Sequence, residues 1–137
     1  MSTAYDFLKQ CGYFFVTSIN GNFPASRPFG AVMEHENNLY ISTSPAKEVC
    51  KQLTANNHIQ ITALKNGTRK WIRITGLAHE CTDLKIKKKM LEKCPDIAKH
   101  FTAENDENFI LFQIKPIQIE FKEGDKTLWK EKTLINS

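Results

Sequence analysis

Between residues 109 and 121 the large apolar side chains change parity half-way. Ile110, Phe112 and Ile114 fall on even positions, whereas Ile117, Ile119 and Phe121 fall on odd ones. Successive side chains of a β-strand point to opposite faces, so one regular strand would bury the first set and expose the second. The pattern therefore predicts a long strand over 109–121, broken by a bulge or corner near Lys115-Pro116, where proline also withholds an N–H from the ladder. Corners of that kind curl a sheet toward a barrel.

The rest of the chain supplies the other strands. Tyr13-Phe14-Phe15-Val16-Thr17-Ser18-Ile19 is aromatic and β-branched and runs into Asn20-Gly21, a hairpin signal. A returning strand is expected over 25–34, and Asn37-Asn38 turns it into a strand over 39–43. Residues 58–64 alternate Ile59, Ile61 and Ala63 on one face, and Asn66-Gly67 turns the chain into a strand over 71–81. Helices are expected over 3–10 with Gly12 as the stop, over 44–53, from Asp83 as N-cap to about residue 93, and as a short turn from Pro95. Six antiparallel strands with few helices and no internal repeat or linker predict a mainly β chain, a six-stranded antiparallel barrel forming one domain over 1–137.

Length and charge narrow the function classes. At 137 residues one core is large enough to fold without staples, and a net charge of +4 suits an anionic ligand without singling one out. No apolar run approaches the ~18 residues of a membrane span and no leader pattern opens the sequence, so a cytoplasmic location is expected. Cys11, Cys50, Cys81 and Cys94 are widely spaced, with no CxxC pair and no histidine at ligand spacing. Reduced thiols are expected, and no metal site.

The first chemical signal lies in Leu39-Tyr40-Ile41-Ser42-Thr43-Ser44-Pro45-Ala46-Lys47. A short apolar strand runs into three hydroxyls, then into a helix with Ser44 as N-cap and Pro45 in its first turn. Lys47 would then stand at the positive end of the helix dipole, an unfavourable place unless an anion meets it. An ordinary capped helix with a solvated lysine is the alternative. A second signal is Arg27-Pro28-Phe29-Gly30, where proline implies an edge or bulge. Glycine there implies close approach to the backbone, by a flat ligand or by a tight barrel corner. The third is Lys70-Trp71-Ile72-Arg73-Ile74-Thr75-Gly76, which puts Trp71, Arg73 and Thr75 on one face of a strand. That face suits an aromatic ligand or a subunit interface, or a rim tryptophan with Arg73 extended into solvent.

Two further features are read as solvated surface. Lys85, Lys87, Lys88 and Lys89 form a basic run on the late helix without the aromatic signature of an RNA binder, which argues against nucleic acid. His35, His58, His79 and His100 have no sequence neighbours that would make a catalytic pair, and no Ser–His–Asp set is visible. No side chain is assigned a catalytic role.

Taken together and in this order, the three signals resemble the FMN-binding split barrels of the pyridoxamine 5′-phosphate oxidase-like superfamily, most of all its nitroimidazole-reductase-type branch. The resemblance runs from about Phe7 to Phe121. It implies a six-stranded split barrel, a homodimer, and FMN held between subunits. By the same resemblance Arg27 would serve the FMN phosphate or ribityl chain, and Phe29 and Gly30 would lie along the ring. Thr43, Ser44 and Lys47 would hold the phosphate, Ser42 would be a further cofactor-binding residue, and Trp71 and Arg73 would reach the flavin from the neighbouring subunit. The end of the chain, Thr127-Leu128-Trp129-Lys130-Glu131, does not match the C-terminal segment of the pyridoxamine-phosphate oxidases proper. The expected function is an FMN-dependent reductase or oxidase of a small molecule, with NADH or NADPH as candidate donor. The alternatives are a non-catalytic flavin- or haem-binding barrel, or a nucleic-acid-binding barrel.

Overall fold

The computed structural model describes residues 2–132. Helix α1 (Ser2–Cys11) buries Ala4 and Leu8, four residues apart and so on one face. Gly12, at φ +81°, ends it by returning its N–H to Leu8 O at 3.1 Å. Strands β1 (Phe14–Asn20) and β2 (Phe23–Phe29) form a hairpin whose two-residue loop is Gly21-Asn22, one position later than expected.

The single strand expected over 25–34 is two strands. β2 stops at Phe29, and β3 (Met33–His35) begins after an irregular stretch containing Gly30. β2 pairs only with β1, so Pro24 and Pro28 sit on a sheet edge, where their missing N–H groups break no ladder. β3 turns into β4 (Asn38–Thr43) through Glu36-Asn37, both at positive φ, again one position from the expected Asn37-Asn38. Then follow α2 (Glu48–Ala55), β5 (His58–Leu64), β6 (Lys70–Cys81), α3 (Leu84–Lys93), α4 (Pro95–Ala98), β7 (Ile110–Glu123) and β8 (Lys126–Lys132).

All strands join one antiparallel sheet in the order β2-β1-β5-β6-β7-β4-β3, with β8 added to β7. Residues 30–32 connect the two ends of this order, so the open seam of the split barrel falls at the Gly30 corner. The strand count is eight rather than six, because the second strand divides and residues 127–131 form part of β8.

The parity change in β7 is real and its cause is visible. Thr75 faces Gln118 while Gly76 faces Pro116, leaving Ile117 as the extra residue of a bulge. A Cβ on Gly76 would stand 2.4 Å from the carbonyl oxygen of Lys115, so only glycine lets the corner form. Beyond the bulge Ile119 and Phe121 face the same interior as Phe112 and Ile114 before it. The flanks of β7 divide likewise, residues 110–114 pairing with β4 and 118–123 with β8.

Two apolar clusters result. One fills the barrel and includes Val16, Ile61, Ile72, Ile74, Ile114 and Ile119. The other seats α3 and α4 against β3, β4 and β7 through Met33, Tyr40, Met90, Ile97, Phe109 and Leu111. Asp83 caps α3 as expected, accepting from the Lys85 N–H at 2.9 Å. The basic run is not uniformly solvated. Lys87 is buried on the same face as Met90, and its ammonium donates to Phe109 O at 3.0 Å. No helix among the described residues is long and apolar enough to cross a membrane.

Candidate functional site

The first two sequence signals meet in one open groove of about 670 Å³. β2 and the corner after it contribute Arg27, Pro28, Phe29, Gly30 and Ala31. The end of β4 and the start of α2 contribute Ser42, Thr43, Ser44, Lys47 and Val49. α4 and the loop after it contribute Ile97, His100, Phe101 and Asn108.

The helix start differs from expectation in a way that matters. Ser44 is not the N-cap. Its carbonyl accepts from the Lys47 N–H at 3.0 Å in a turn containing Pro45, and α2 begins only at Glu48. Proline fits the second position of such a turn as readily as the first turn of a helix, which is why the sequence did not separate the two. Lys47 is itself the N-cap residue, with extended backbone (φ −80°, ψ 140°), and no side chain caps the helix. The N–H groups of Glu48 and Val49 consequently have no helical acceptor. Among the described residues neither Lys47 nor Arg27 has a carboxylate within ion-pair distance, and none of the hydroxyls of Ser42, Thr43 and Ser44 is bound to a partner. Cationic side chains, hydroxyls and an uncapped helix start are the donor set of an anion site.

Arg27 is on the inner face of β2, opposite Val16 of the barrel core. Nη1 donates to Val16 O at 3.2 Å and to Ser18 Oγ at 2.8 Å, and Nη2 donates to Gln52 Oε1 at 2.8 Å. Ser18 Oγ also donates to Gln52 Oε1. Burial lowers the proton affinity of the guanidinium, which nonetheless stays charged. Every partner is neutral.

Gly30 contributes backbone to the groove wall. A Cβ there would approach Tyr13 Cε1 at 3.3 Å, so the close neighbour of this glycine within the chain is an aromatic side chain rather than a strand. The opposite wall is held by Asp106, which accepts from the Thr102 N–H at 3.0 Å and the Asn108 N–H at 2.9 Å. These bonds, that from Asn108 foremost, keep its carboxyl below the ordinary range. Phe101 stacks on Phe109 with ring centroids 4.8 Å apart.

Trp71 and Arg73 do not line this groove. They lie on the outer face of β6, where Arg73 Nε and Nη2 donate to Glu120 Oε1 and Oε2 at 2.9 and 3.3 Å. Glu120 is buried, and the Arg73 bonds hold its carboxyl below the usual glutamate range. Trp71 Nε1 donates to Gly124 O at 3.0 Å and so fastens the β7–β8 turn. Beside Trp71 the outer face exposes Tyr13, Phe15 and Leu64 around a second depression of about 430 Å³.

A sequence profile described as pyridoxamine 5′-phosphate oxidase matches residues 2–123. The chain belongs to the pyridoxamine 5′-phosphate oxidase family. A solved structure of a NimC/NimA family protein from Clostridium acetobutylicum is 31% identical, with a TM-score of 0.84 over 93% of this chain and 89% of that one. More distant structures share the fold alone. A pyridoxamine 5′-phosphate oxidase-related, FMN-binding protein from Nostoc punctiforme is 16% identical, with a TM-score of 0.73 over 99% and 96% of the two chains. HutZ, the haem storage protein of Vibrio cholerae, is 12% identical, with a TM-score of 0.67 over 84% and 88%. No curated protein sequence matches the chain.

Sequence reasoning did not single out Ser18, Gln52, Phe101 or Asn108, and it set His100 aside as surface. Gln52 was legible in principle. It falls on the apolar side of α2 with Val49 and Leu53, and a buried polar side chain needs a partner. The approach of α4 and its following loop to Gly30 has no local signal, because it depends on how the second apolar cluster packs.

Proposed function

We propose that the groove is a flavin mononucleotide site and that the protein is an FMN-dependent oxidoreductase of a small molecule. The observation that carries this reading is the convergence of Lys47, Arg27 and the uncapped start of α2 in a groove that also offers flat apolar walls. FMN requires both an anion site and a place for a planar ring. The groove volume lies in the range of cofactor pockets. Ser42, Thr43, Ser44, Lys47 and the first N–H groups of α2 would hold the phosphate. Arg27 would add its charge from beneath, with Phe29 and the Gly30 backbone along the ring. When bound, FMN supplies redox chemistry between a reduced donor, with NADH or NADPH as candidates, and a small acceptor. The chain supplies binding, orientation and electrostatics. The family match and the FMN-binding relative from Nostoc support the reading.

The same proposal includes a homodimer. Tyr13, Phe15 and Leu64 are at least half exposed beside Trp71 on the outer face of β1, β5 and β6, where pairing of two copies would cover them. Trp71 and Arg73 would then stand at the seam, where the family resemblance puts a contact with the neighbour's flavin. A cytoplasmic setting belongs to the proposal too, since four unpaired thiols suit a reducing compartment. A haem reading has one observation in its favour. His100 lines the groove with no side-chain partner among the described residues, and an imidazole there is a ready axial ligand.

The absorption spectrum of freshly purified protein, with light scattering on the same sample, tests these readings together. Flavin bands on a dimer are expected. A Soret band that disappears in His100→Ala would replace FMN by haem, and a colourless monomer that takes up neither cofactor would overturn the proposal.

A further inference from the structure

Ser18, Arg27 and Gln52 form a closed triangle at the junction of β1, β2 and α2. Arg27 Nη1 donates to Ser18 Oγ, Arg27 Nη2 donates to Gln52 Oε1, and Ser18 Oγ donates to Gln52 Oε1. The orientation of the Gln52 amide is forced, because a guanidinium has only donors to offer and must meet the oxygen. Ser18 and Gln52 are both buried. Gln52 lies four residues after Glu48 and so on the same face of α2, about one helical pitch (~5.4 Å) inside its uncapped start. The triangle therefore stands directly behind the anion site.

A half-buried arginine is commonly met by a carboxylate, as half-buried Arg73 meets buried Glu120. Gln52 has the shape and reach of a glutamate without its charge. It fixes the guanidinium against the core while leaving the positive charge uncompensated and facing the groove, with two N–H donors beyond the three bonds made. We infer that Gln52, with Ser18, is a positioning pair that holds Arg27 in place and keeps its charge available to the phosphate of the flavin. The inference rests on the FMN reading. It goes beyond that reading by assigning a binding role to two residues that need not touch the ligand.

Fluorescence titration of apoprotein with FMN and with riboflavin tests it, because only FMN carries the phosphate. In Gln52→Glu the carboxylate pairs with Arg27, and FMN affinity is expected to fall by about 10- to 100-fold, the equivalent of one charge-assisted bond. Riboflavin affinity is expected to change by less than about twofold, as for a site with no phosphate to lose. Gln52→Met removes the acceptor without adding charge, and only about a threefold loss of FMN is expected, since Ser18 and Val16 still hold the guanidinium. An FMN affinity unchanged in Gln52→Glu overturns the inference. So do equal losses of FMN and riboflavin in both variants, the mark of a purely structural brace. If Gln52→Glu does not fold, Ser18→Asp puts the same charge on another corner of the triangle and carries the same expectation. Failure of the underlying functional reading is seen separately, in wild-type protein that binds neither flavin, and the inference then falls with it.

Discussion

Arg27, on the inner face of β2, donates to a backbone carbonyl, a serine and a glutamine, whereas Arg73, on the outer face of β6, donates to both oxygens of Glu120. One residue type thus does two different jobs on the two faces of one sheet. Across the inner face the row through Arg27 continues as Val16, Ile61, Ile74 and Ile119, so the guanidinium is pinned where only neutral atoms are at hand. Across the outer face the row through Arg73 runs from Phe15 and Thr62 to Glu120, and a directly opposed carboxylate completes a cross-strand ion pair. In the proposed reading, the groups left uncompensated are what make the groove a binding site. On the outer face the charged groups satisfy one another, and its exposed aromatics are what the proposed dimer would cover.

The comparison breaks most readily at Arg73. Arg73→Ala leaves the Glu120 carboxylate buried without its partner, and a loss of about 1.5–3 kcal/mol is expected in urea unfolding, the worth of charged hydrogen bonds. The pair should also be visible in acid. The folded-state affinity of Glu120 for its proton is lowered, so its contribution is fully present above the ordinary glutamate value of ~4.3 and is lost as pH falls through the lower folded value. Glu120→Gln should flatten that part of the stability–pH curve. Stability unchanged in Arg73→Ala would mean that the outer face is not organised by this pair.

A smaller effect is expected at the corner that bounds the groove. Gly30→Ala places a Cβ 3.3 Å from a Tyr13 ring that is 74% exposed and free to move aside. Thermal unfolding should report less than about 1 kcal/mol of destabilisation, below the usual cost of overpacking a closed core. Gly76→Ala is the control, since its Cβ would meet backbone at 2.4 Å that cannot yield without undoing the β7 bulge. Equal behaviour of the two variants would show that the corner at residue 30 is as tightly packed as the bulge.

How much of this was legible in the sequence depends on the range of the forces involved. The parity change in β7 could be read because side-chain alternation is a local rule, and the bulge lies within a residue or two of the expected position. Asn66-Gly67 forms the middle of its turn as expected, with the Thr68 N–H donating to Lys65 O at 3.1 Å. The β1–β2 and β3–β4 turns are each displaced by one residue, because Asn-Gly and Asn-Asn pairs mark a turn without fixing which residues stay paired. The start of α2 was misplaced because Ser-Pro opens a β-turn as readily as a helix. β8 was not expected at all. Its residues are all exposed, so no burial pattern announces it, and only pairing with β7 after the bulge makes it a strand. For the site, the donor-rich stretch at 42–47 and the Arg27–Gly30 corner were visible as motifs. That Arg27 would lean on Gln52, and Arg73 on Glu120, depends on pairings between segments distant in sequence.

The central claim is that the groove recognises a phosphate through charges the fold leaves uncompensated, and Lys47→Ala measured beside Arg73→Ala tests it most directly. FMN and riboflavin affinities are determined for both variants and for wild-type protein by fluorescence quenching. Lys47 is exposed and unpaired among the described residues, so its removal should leave stability within about 0.5 kcal/mol. It should weaken FMN by about 10- to 100-fold and riboflavin hardly at all. Arg73→Ala should leave the ratio of the two affinities where the wild type has it. A ratio that survives loss of Lys47, or that collapses with loss of Arg73 instead, would contradict the account.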